Sequence, residues 1–189
     1  MKTVEPTVIP PGAKVFPLSA EAYHLLGEAG WLPKNTELLY GVVYKKVSKS
    51  PLHSAVVLEL LQLLHEVLPS GHILMSEQPI SCGDSEPEPD VAVVRGAIGD
   101  FRERHPQTAE LAIEVCVTSH DYDRSKLRAY AVASIKEVWL LLVRERRVEV
   151  YLQPTNGEYV DKKLVGPRGK LASAVLPNFV LDLGSFFKP

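Results

Sequence analysis

The sequence predicts an α+β fold in which a mixed β-sheet is flanked by helices. Segments typical of helices and strands follow one another in the order helix, strands, helix, strands, with further strands towards the C-terminus. The central strand segments are short apolar runs, as expected of strands buried in a sheet whose faces are covered by helices.

Length and composition are those of one ordinary globular domain. The chain has 189 residues, of which 46% are hydrophobic and 23% charged, so its core needs no disulfide or metal support. Its two cysteines, Cys82 and Cys116, have no metal-binding or redox spacing, which predicts a reducing, cytoplasmic setting. No apolar signal region begins the chain, and the apolar run 138–143 is too short for a bilayer, so we expect no membrane association.

The charge balance weighs weakly against DNA binding, because tight non-specific binders of nucleic acid are usually basic. The net charge is −2 and the isoelectric point is about 6.3. Local clusters matter more than this sum, although charge runs are often only solvated strand ends and loops. The basic clusters are Lys45-Lys46 with Lys49, Arg144 with Arg146-Arg147, Lys162-Lys163, and Arg168 with Lys170.

The first third of the chain is predicted to contain an arm, two helices and a β-hairpin. Residues 1–17 are rich in proline and predict an extended N-terminal arm, with one domain following over residues 18–189. A helix is expected over residues 20–29, after Ser19 as N-cap. Residues 37–47 predict a hairpin or a bulged strand, because a glycine interrupts the run. Ser50-Pro51 predicts the start of a mostly buried helix that continues to about residue 68.

The remaining elements are strands around one further helix. Residues 72–80, 90–94 and 111–117 predict three strands, and Asp123 is expected to cap the following helix of about ten residues. Residues 174–187 are apolar and interrupted by proline, which predicts a tail that packs back on the domain. The later strands are predicted at residues 138–143, 148–152 and 159–165, with turns at 144–147 and at Asn156-Gly157.

Two of the predicted strands each carry a carboxylate that a purely structural role of the strand does not explain. Asp90 follows a proline at the start of one strand, and Glu114 lies between Ile113 and Val115 in the next. A buried carboxylate is unfavourable unless it is paired, hydrogen-bonded or bound to a cation. Two of them on neighbouring strands favour an oxygen-rich site for Mg²⁺. The alternatives are a turn or cap at Asp90 and, for Glu114, an ion pair with Lys126 or a hydrogen bond to backbone.

Six short motifs occur in an order that is similar to that of a known family. They are Glu37-Leu38-Leu39-Tyr40-Gly41, Ser50-Pro51-Leu52-His53, Pro89-Asp90-Val91, Glu114-Val115, the helix from Tyr122 and Asp123 through Lys126 to Tyr130, and Glu137-Val138-Trp139. As an ordered set they resemble the large bacterial family of restriction endonucleases of the Uma type. Pro89-Asp90 with Glu114-Val115-Cys116 also resembles the PD-(D/E)XK nuclease motif. The resemblance covers about residues 35–152.

The resemblance implies a restriction-endonuclease-like core of helix, three strands, helix and strand. It also implies a DNA endonuclease that depends on Mg²⁺, with Mn²⁺ as a substitute. The implied catalytic residues are Glu37, Asp90, Glu114 and Lys126, the implied metal ligands are Asp90, Glu114 and the Val115 carbonyl, and the implied supporting residues are His53 and Tyr130.

The resemblance leaves two function classes open. The nuclease motif usually has a lysine two residues after the glutamate, but Cys116 stands there, so the resemblance implies that Lys126 on the next helix replaces it. The first hypothesis is an active DNA endonuclease, expected to be a homodimer or higher oligomer because two sites related by a two-fold axis can cut both strands. The second is a catalytically inactive protein that keeps the fold as a binding or regulatory module.

Overall fold

The computed structural model describes residues 12–46 and 48–188, so most of the predicted arm, residues 1–11, lies outside the described residues. The helices are α1 (Ala20–Glu28), α2 (Pro51–Val67), α3 (His120–Ser125), α4 (Leu127–Val132) and α5 (Leu183–Phe186). The strands are β1 (Thr36–Leu39), β2 (Val42–Lys45), β3 (His72–Met75), β4 (Val91–Arg95), β5 (Leu111–Cys116), β6 (Glu137–Leu142), β7 (Arg147–Thr155), β8 (Glu158–Val165), β9 (Lys170–Ala172) and β10 (Val180–Asp182). In this part of the chain, no helix has the length and apolar character needed to cross a membrane.

A six-stranded mixed sheet forms the centre of the fold and confirms the predicted α+β class. Its strand order is β3-β4-β5-β6-β7-β8. Only β5 and β6 run parallel, from Leu111 opposite Glu137 to Cys116 opposite Leu142, and the other neighbours are antiparallel. A parallel pair needs a long crossover, which α3 and α4 supply. The succession α2, β3 to β5, α3 with α4, and β6 is the core that the resemblance implied.

Alternate residues of β5 point into two separate hydrophobic clusters. Ile113 and Val115 pack with the buried side of α2, whereas Ala112 and Cys116 pack with α4 on the opposite face. By this alternation, Glu114 shares the α4 face. Its carboxylate therefore enters the protein interior rather than solvent.

Helix α2 begins where it was predicted but is less buried than expected. Ser50 caps the helix by accepting a hydrogen bond from the backbone N–H of His53, and Pro51 occupies the first turn. Only Val56, Val57, Leu60 and Leu64 are buried, and Leu58 is 66% exposed. The prediction of a mostly buried helix was therefore wrong, because the sheet covers only one side of it.

A tight hairpin, rather than a bulged strand, joins β1 and β2. Tyr40 and Gly41 both have positive φ angles, 54° and 72°, which are typical of a two-residue hairpin turn. The strands pair from Thr36 opposite Lys45 to Leu39 opposite Val42. An isolated bridge between Leu38 and Glu86 attaches the hairpin to the segment that leads into β4.

The crossover helix starts earlier than the sequence predicted. It begins at His120, after Ser119, and divides into α3 and α4 at Lys126. The predicted capping role of Asp123 is therefore wrong, since Asp123 lies within α3, is buried and accepts a 2.6 Å hydrogen bond from the Ser119 hydroxyl.

The C-terminal segment packs back on the domain, as predicted. Leu176, Phe179 and Leu183 are buried in the same cluster as α2. Glu137 at the start of β6 anchors this segment, because its carboxylate accepts hydrogen bonds from the Ser173 hydroxyl, from two following backbone N–H groups and from the indole of Trp139. The segment contains β10 and α5, and β10 pairs with β9, which precedes the segment. The sequence pattern had indicated none of these three elements.

Candidate active site

The site lies where β4 and β5 separate. Their pairing ends with Val91 opposite Ile113, so β5 continues beyond the point at which β4 begins. Asp90 bridges the opening, since its Oδ2 accepts a 2.8 Å hydrogen bond from the backbone N–H of Val115. The N–H and C=O groups of one strand residue point to the same side. The Val115 carbonyl therefore faces Asp90.

The side chain of Asp90 is also bound to α2. His53, in the first turn of that helix, lies with its Nε2 3.1 Å from Asp90 Oδ2. Burial raises the pKa of Asp90, but the hydrogen bonds from His53 and Val115 outweigh it and leave the pKa below its usual value. Asp90 thus carries its charge with one oxygen occupied by two donors. Its other oxygen, Oδ1, has Lys49 Nζ 3.6 Å away.

The ammonium group of Lys126 contacts two buried glutamates. Its Nζ lies 3.2 Å from Glu114 Oε1 and 3.3 Å from Glu37 Oε2, and each of the three residues is less than 5% exposed. Burial alone lowers the pKa of Lys126, but Glu114 and Glu37 outweigh it and raise the pKa above its usual value. Lys126 is therefore an ammonium ion with protons to donate.

Glu114 is held in place by a second donor beneath the cleft. The hydroxyl of Tyr130 donates a 2.5 Å hydrogen bond to Glu114 Oε1, the same oxygen that contacts Lys126. Burial raises the pKa of Glu114 well above its usual value, while the Lys126 ammonium opposes that effect. Within the described chain, no hydrogen-bond donor reaches the other oxygen, Glu114 Oε2.

Tyr122 is a site residue to which the sequence analysis assigned no role. Its hydroxyl donates a 2.7 Å hydrogen bond to Glu37 Oε1, and the backbone N–H of Glu88 donates to Glu37 Oε2 at 3.2 Å. Burial and the nearby Glu37 carboxylate raise the pKa of Tyr122 above its usual value. The signal was present in the sequence, since Tyr122, Lys126 and Tyr130 recur at intervals of four and such residues share one side of a helix.

A cleft of about 340 Å³ contains the four predicted catalytic residues. Glu37 comes from the hairpin, Asp90 from the start of β4, Glu114 from β5 and Lys126 from the junction of α3 and α4. Val115 and His53 also line the cleft, whereas Tyr130 lies behind it. Its basic lining residues are Lys46, Lys49, Lys126 and Arg144.

The donor atoms of the cleft suit Mg²⁺ better than a transition metal. Across residues 12–46 and 48–188, no three His, Cys, Asp or Glu side chains meet as a complete metal site. Mg²⁺ commonly uses only one or two carboxylates and takes its remaining oxygens from water and substrate phosphate. Asp90 Oδ1, Glu114 Oε2 and the Val115 carbonyl fit that pattern, because none of them is committed to a hydrogen bond described above.

The comparisons with known proteins concern the family and the fold of the chain. A family model named Uma2 and described as "Putative restriction endonuclease" matches residues 25–184. The fold is similar to the crystal structure of "a putative nuclease belonging to DUF820" from Anabaena variabilis, with a TM-score of 0.72 and 18% identity over 86% of this chain and 96% of that chain. At this identity, the likeness shows a shared fold. No curated protein matches the chain.

Proposed function

Since this chain belongs to the Uma2 family, as its ordered motifs predicted, we propose that it is a metal-dependent DNA endonuclease of the PD-(D/E)XK type. The observation that carries the proposal is the meeting of two open carboxylates, on Asp90 and Glu114, with the Lys126 ammonium in one cleft. Phosphodiester hydrolysis needs an activated water and compensation of the charge that grows on the phosphate, and these residue types supply both needs.

Asp90, Glu114 and the Val115 carbonyl would hold Mg²⁺, or Mn²⁺ in its place. When bound, the cation would supply positive charge beside the phosphate and would acidify a water molecule. His53 and the Val115 N–H fix one oxygen of Asp90, so that the other is directed into the cleft. Tyr130 does the same for Glu114, and we assign positioning roles to His53 and Tyr130.

Lys126 is the group that we assign to the developing negative charge of the phosphate. Its position between two carboxylates favours the ammonium form, which donates hydrogen bonds to a phosphate oxygen. The Glu37 carboxylate forms an ion pair with Lys126 and accepts hydrogen bonds from the Tyr122 hydroxyl and the Glu88 N–H, so both of its oxygens are occupied. That occupation favours a role for Glu37 in positioning Lys126 over a role as a direct metal ligand.

A second candidate function is a catalytically inactive binding or regulatory module. Two observations favour it. Lys126 forms an ion pair with Glu114, which by itself compensates the buried charge, and Cys116 occupies the position where the nuclease motif usually has its lysine. Burial raises the pKa of Cys116 far above its usual value, so its thiol cannot replace that lysine.

A cleavage assay decides between the two functions. Purified protein is incubated with single- and double-stranded DNA in Mg²⁺, in Mn²⁺ and in a chelator, together with Asp90→Asn. The matched control is Asp121→Asn, because Asp121 is fully exposed on α3. We expect cleavage only with metal, a loss of about 100-fold or more in Asp90→Asn and no loss in the control. Absence of metal-dependent cleavage by the wild-type protein would favour the binding module.

The proposed endonuclease is expected to act as a homodimer on double-stranded DNA. Two sites related by a two-fold axis are the simplest arrangement for cutting both strands. Light scattering coupled to size-exclusion chromatography measures the mass directly. A monomer that cuts both strands at the same place would contradict this expectation.

A further inference from the structure

Lys49 lies against the one oxygen of Asp90 that is open to the cleft. Its Nζ is 3.6 Å from Asp90 Oδ1 and also contacts Glu77 Oε1. The other oxygen, Oδ2, is occupied by His53 and by the backbone N–H of Val115. Lys49 therefore places positive charge beside the atom that a divalent cation would need.

Glu77 holds Lys49 from the mouth of the cleft. Its φ angle is 57°, a left-handed conformation that is unusual for a residue other than glycine. The conformation is kept by a 3.1 Å hydrogen bond from the Glu77 N–H to the carbonyl of Pro89, the residue directly before Asp90. Strained backbone of this kind is concentrated at functional sites. The Glu77 side chain is 46% exposed, and its carboxylate contacts Lys49 at the mouth of the cleft.

We propose that Lys49 is an exchangeable counter-ion of the metal site. It compensates part of the Asp90 charge while no divalent cation is bound, and a bound cation displaces it from Asp90, leaving it on Glu77 and the DNA phosphate. A divalent cation on Asp90 Oδ1 would repel the Lys49 ammonium, which lies 3.6 Å from that oxygen, and this repulsion favours displacement of the lysine. The Lys49 side chain is 35% exposed on a flexible stem, so it can move without disturbing the core. This inference rests on the proposed function.

Lys46 is the matched control for Lys49. It lines the same cleft and is 30% exposed, but its ammonium pairs with Glu88 Oε2 at 2.5 Å. Among the described ion pairs, Lys46 has none with Asp90. Replacing either lysine removes one positive charge from the cleft. Only the replacement of Lys49 removes a competitor at the Asp90 oxygen.

Mn²⁺ binding without DNA tests the proposal directly. Calorimetry and electron paramagnetic resonance measure the Mn²⁺ dissociation constant of the wild-type protein, Lys49→Met, Lys46→Met and Asp90→Asn. We expect Lys49→Met to bind Mn²⁺ about fivefold more tightly than the wild type, the change given by loss of one partly exposed ion pair. Lys46→Met is expected to change the constant less than about twofold, because its charge is more distant and screened. Asp90→Asn is expected to abolish binding.

Substitution of Glu77 provides a second, independent test, again read from the Mn²⁺ dissociation constant. Glu77→Gln releases Lys49 to pair fully with Asp90, so Mn²⁺ binding should weaken. The same substitution in the Lys49→Met background should have no effect, because no lysine remains to be released. Equal weakening in both backgrounds would make Glu77 a metal ligand and would overturn its assignment as the partner of Lys49.

The outcomes separate this inference from the proposed function. If the wild type binds Mn²⁺ through Asp90 but Lys49→Met binds no more tightly than Lys46→Met, only the exchange role is overturned. If neither the wild type nor Lys49→Met binds Mn²⁺, both proposals are overturned. Weaker binding of DNA by Lys49→Met than by Lys46→Met in Ca²⁺, measured by fluorescence anisotropy, supports the phosphate contact of the displaced lysine, and equal binding contradicts it.

Discussion

Glu149 on β7 connects the central sheet to α3, the helix that leads to the site lysine. Its Oε1 accepts a hydrogen bond from Arg124 Nη2 at 2.9 Å, and its Oε2 accepts one from Arg124 Nε at 3.1 Å. The Tyr151 hydroxyl also donates to Oε2, at 2.6 Å. A bidentate arginine–carboxylate pair of this kind is stronger than a simple surface ion pair. We therefore predict that Glu149→Gln destabilises the protein.

The size of the destabilisation expected for Glu149→Gln follows from the pKa of Glu149. The hydrogen bonds from Arg124, with smaller contributions from the Tyr151 hydroxyl and the Lys162 ammonium, lower this pKa from 4.5 to about 2. Each unit is worth about 1.4 kcal/mol, so the shift corresponds to about 3 kcal/mol. The Arg124 side chain is 35% exposed. Solvent screening therefore reduces the expected loss of unfolding free energy to about 2 kcal/mol at neutral pH.

The pH dependence of this loss has a definite sign. Because the pKa of Glu149 is lower in the folded protein, its stabilisation is fully present above the unfolded pKa of 4.5. It disappears as the pH falls from there through about 2, where the folded carboxylate is protonated. The difference between the wild type and Glu149→Gln should therefore be constant from pH 7 to pH 5 and should shrink below that.

Urea unfolding at pH 7, 5 and 3, followed by circular dichroism, measures the difference. The matched control is Glu158→Gln, an exposed glutamate on the neighbouring strand β8. It is expected to change stability by less than about 0.5 kcal/mol. A Glu149→Gln variant as stable as this control at pH 7 would refute the argument. So would a destabilisation that is the same at pH 3 as at pH 7.

Three further substitutions have expected outcomes. Gly41→Ala should lower the free energy of unfolding, measured by thermal denaturation, by more than about 1 kcal/mol, because φ is +72° and the new Cβ would lie 2.3 Å from Cβ of Pro17. Glu137→Ala removes the acceptor of four hydrogen bonds and should speed amide exchange at residues 173–176, measured by mass spectrometry. Tyr122→Phe removes a donor to Glu37 and should cost about 1 kcal/mol in urea unfolding.

Each of these predictions has a control and a contradicting result. Gly99→Ala adds a Cβ where no atom lies within 4 Å and should be neutral, so equal losses at both glycines would contradict the steric reason. Glu59→Ala alters an exposed glutamate of α2 and should leave exchange at residues 173–176 unchanged. Tyr44→Phe is the control for the tyrosine, since Tyr44 is 40% exposed, and a matching loss there would contradict the assigned hydrogen bond.

Local features of the fold were predictable because they depend on neighbours in the chain. Ser50-Pro51 predicted the start of α2, and Asn156-Gly157 predicted the turn between β7 and β8. Strand positions followed from apolar runs, and the family followed from the order of short motifs. Asp123 shows the limit of local signals, since the helix began three residues before the expected cap and buried that side chain instead.

The sequence by itself determined the α+β class, the family and the residue types from which a metal site can be built. Only the tertiary structure decided which of these residues touch. Lys126 meets Glu37 across 89 positions of the chain, and His53 meets Asp90 across 37. Such contacts depend on how the hairpin and helices pack on the sheet. This packing buries residues that are far apart in the sequence, so no run of neighbouring residues indicates it.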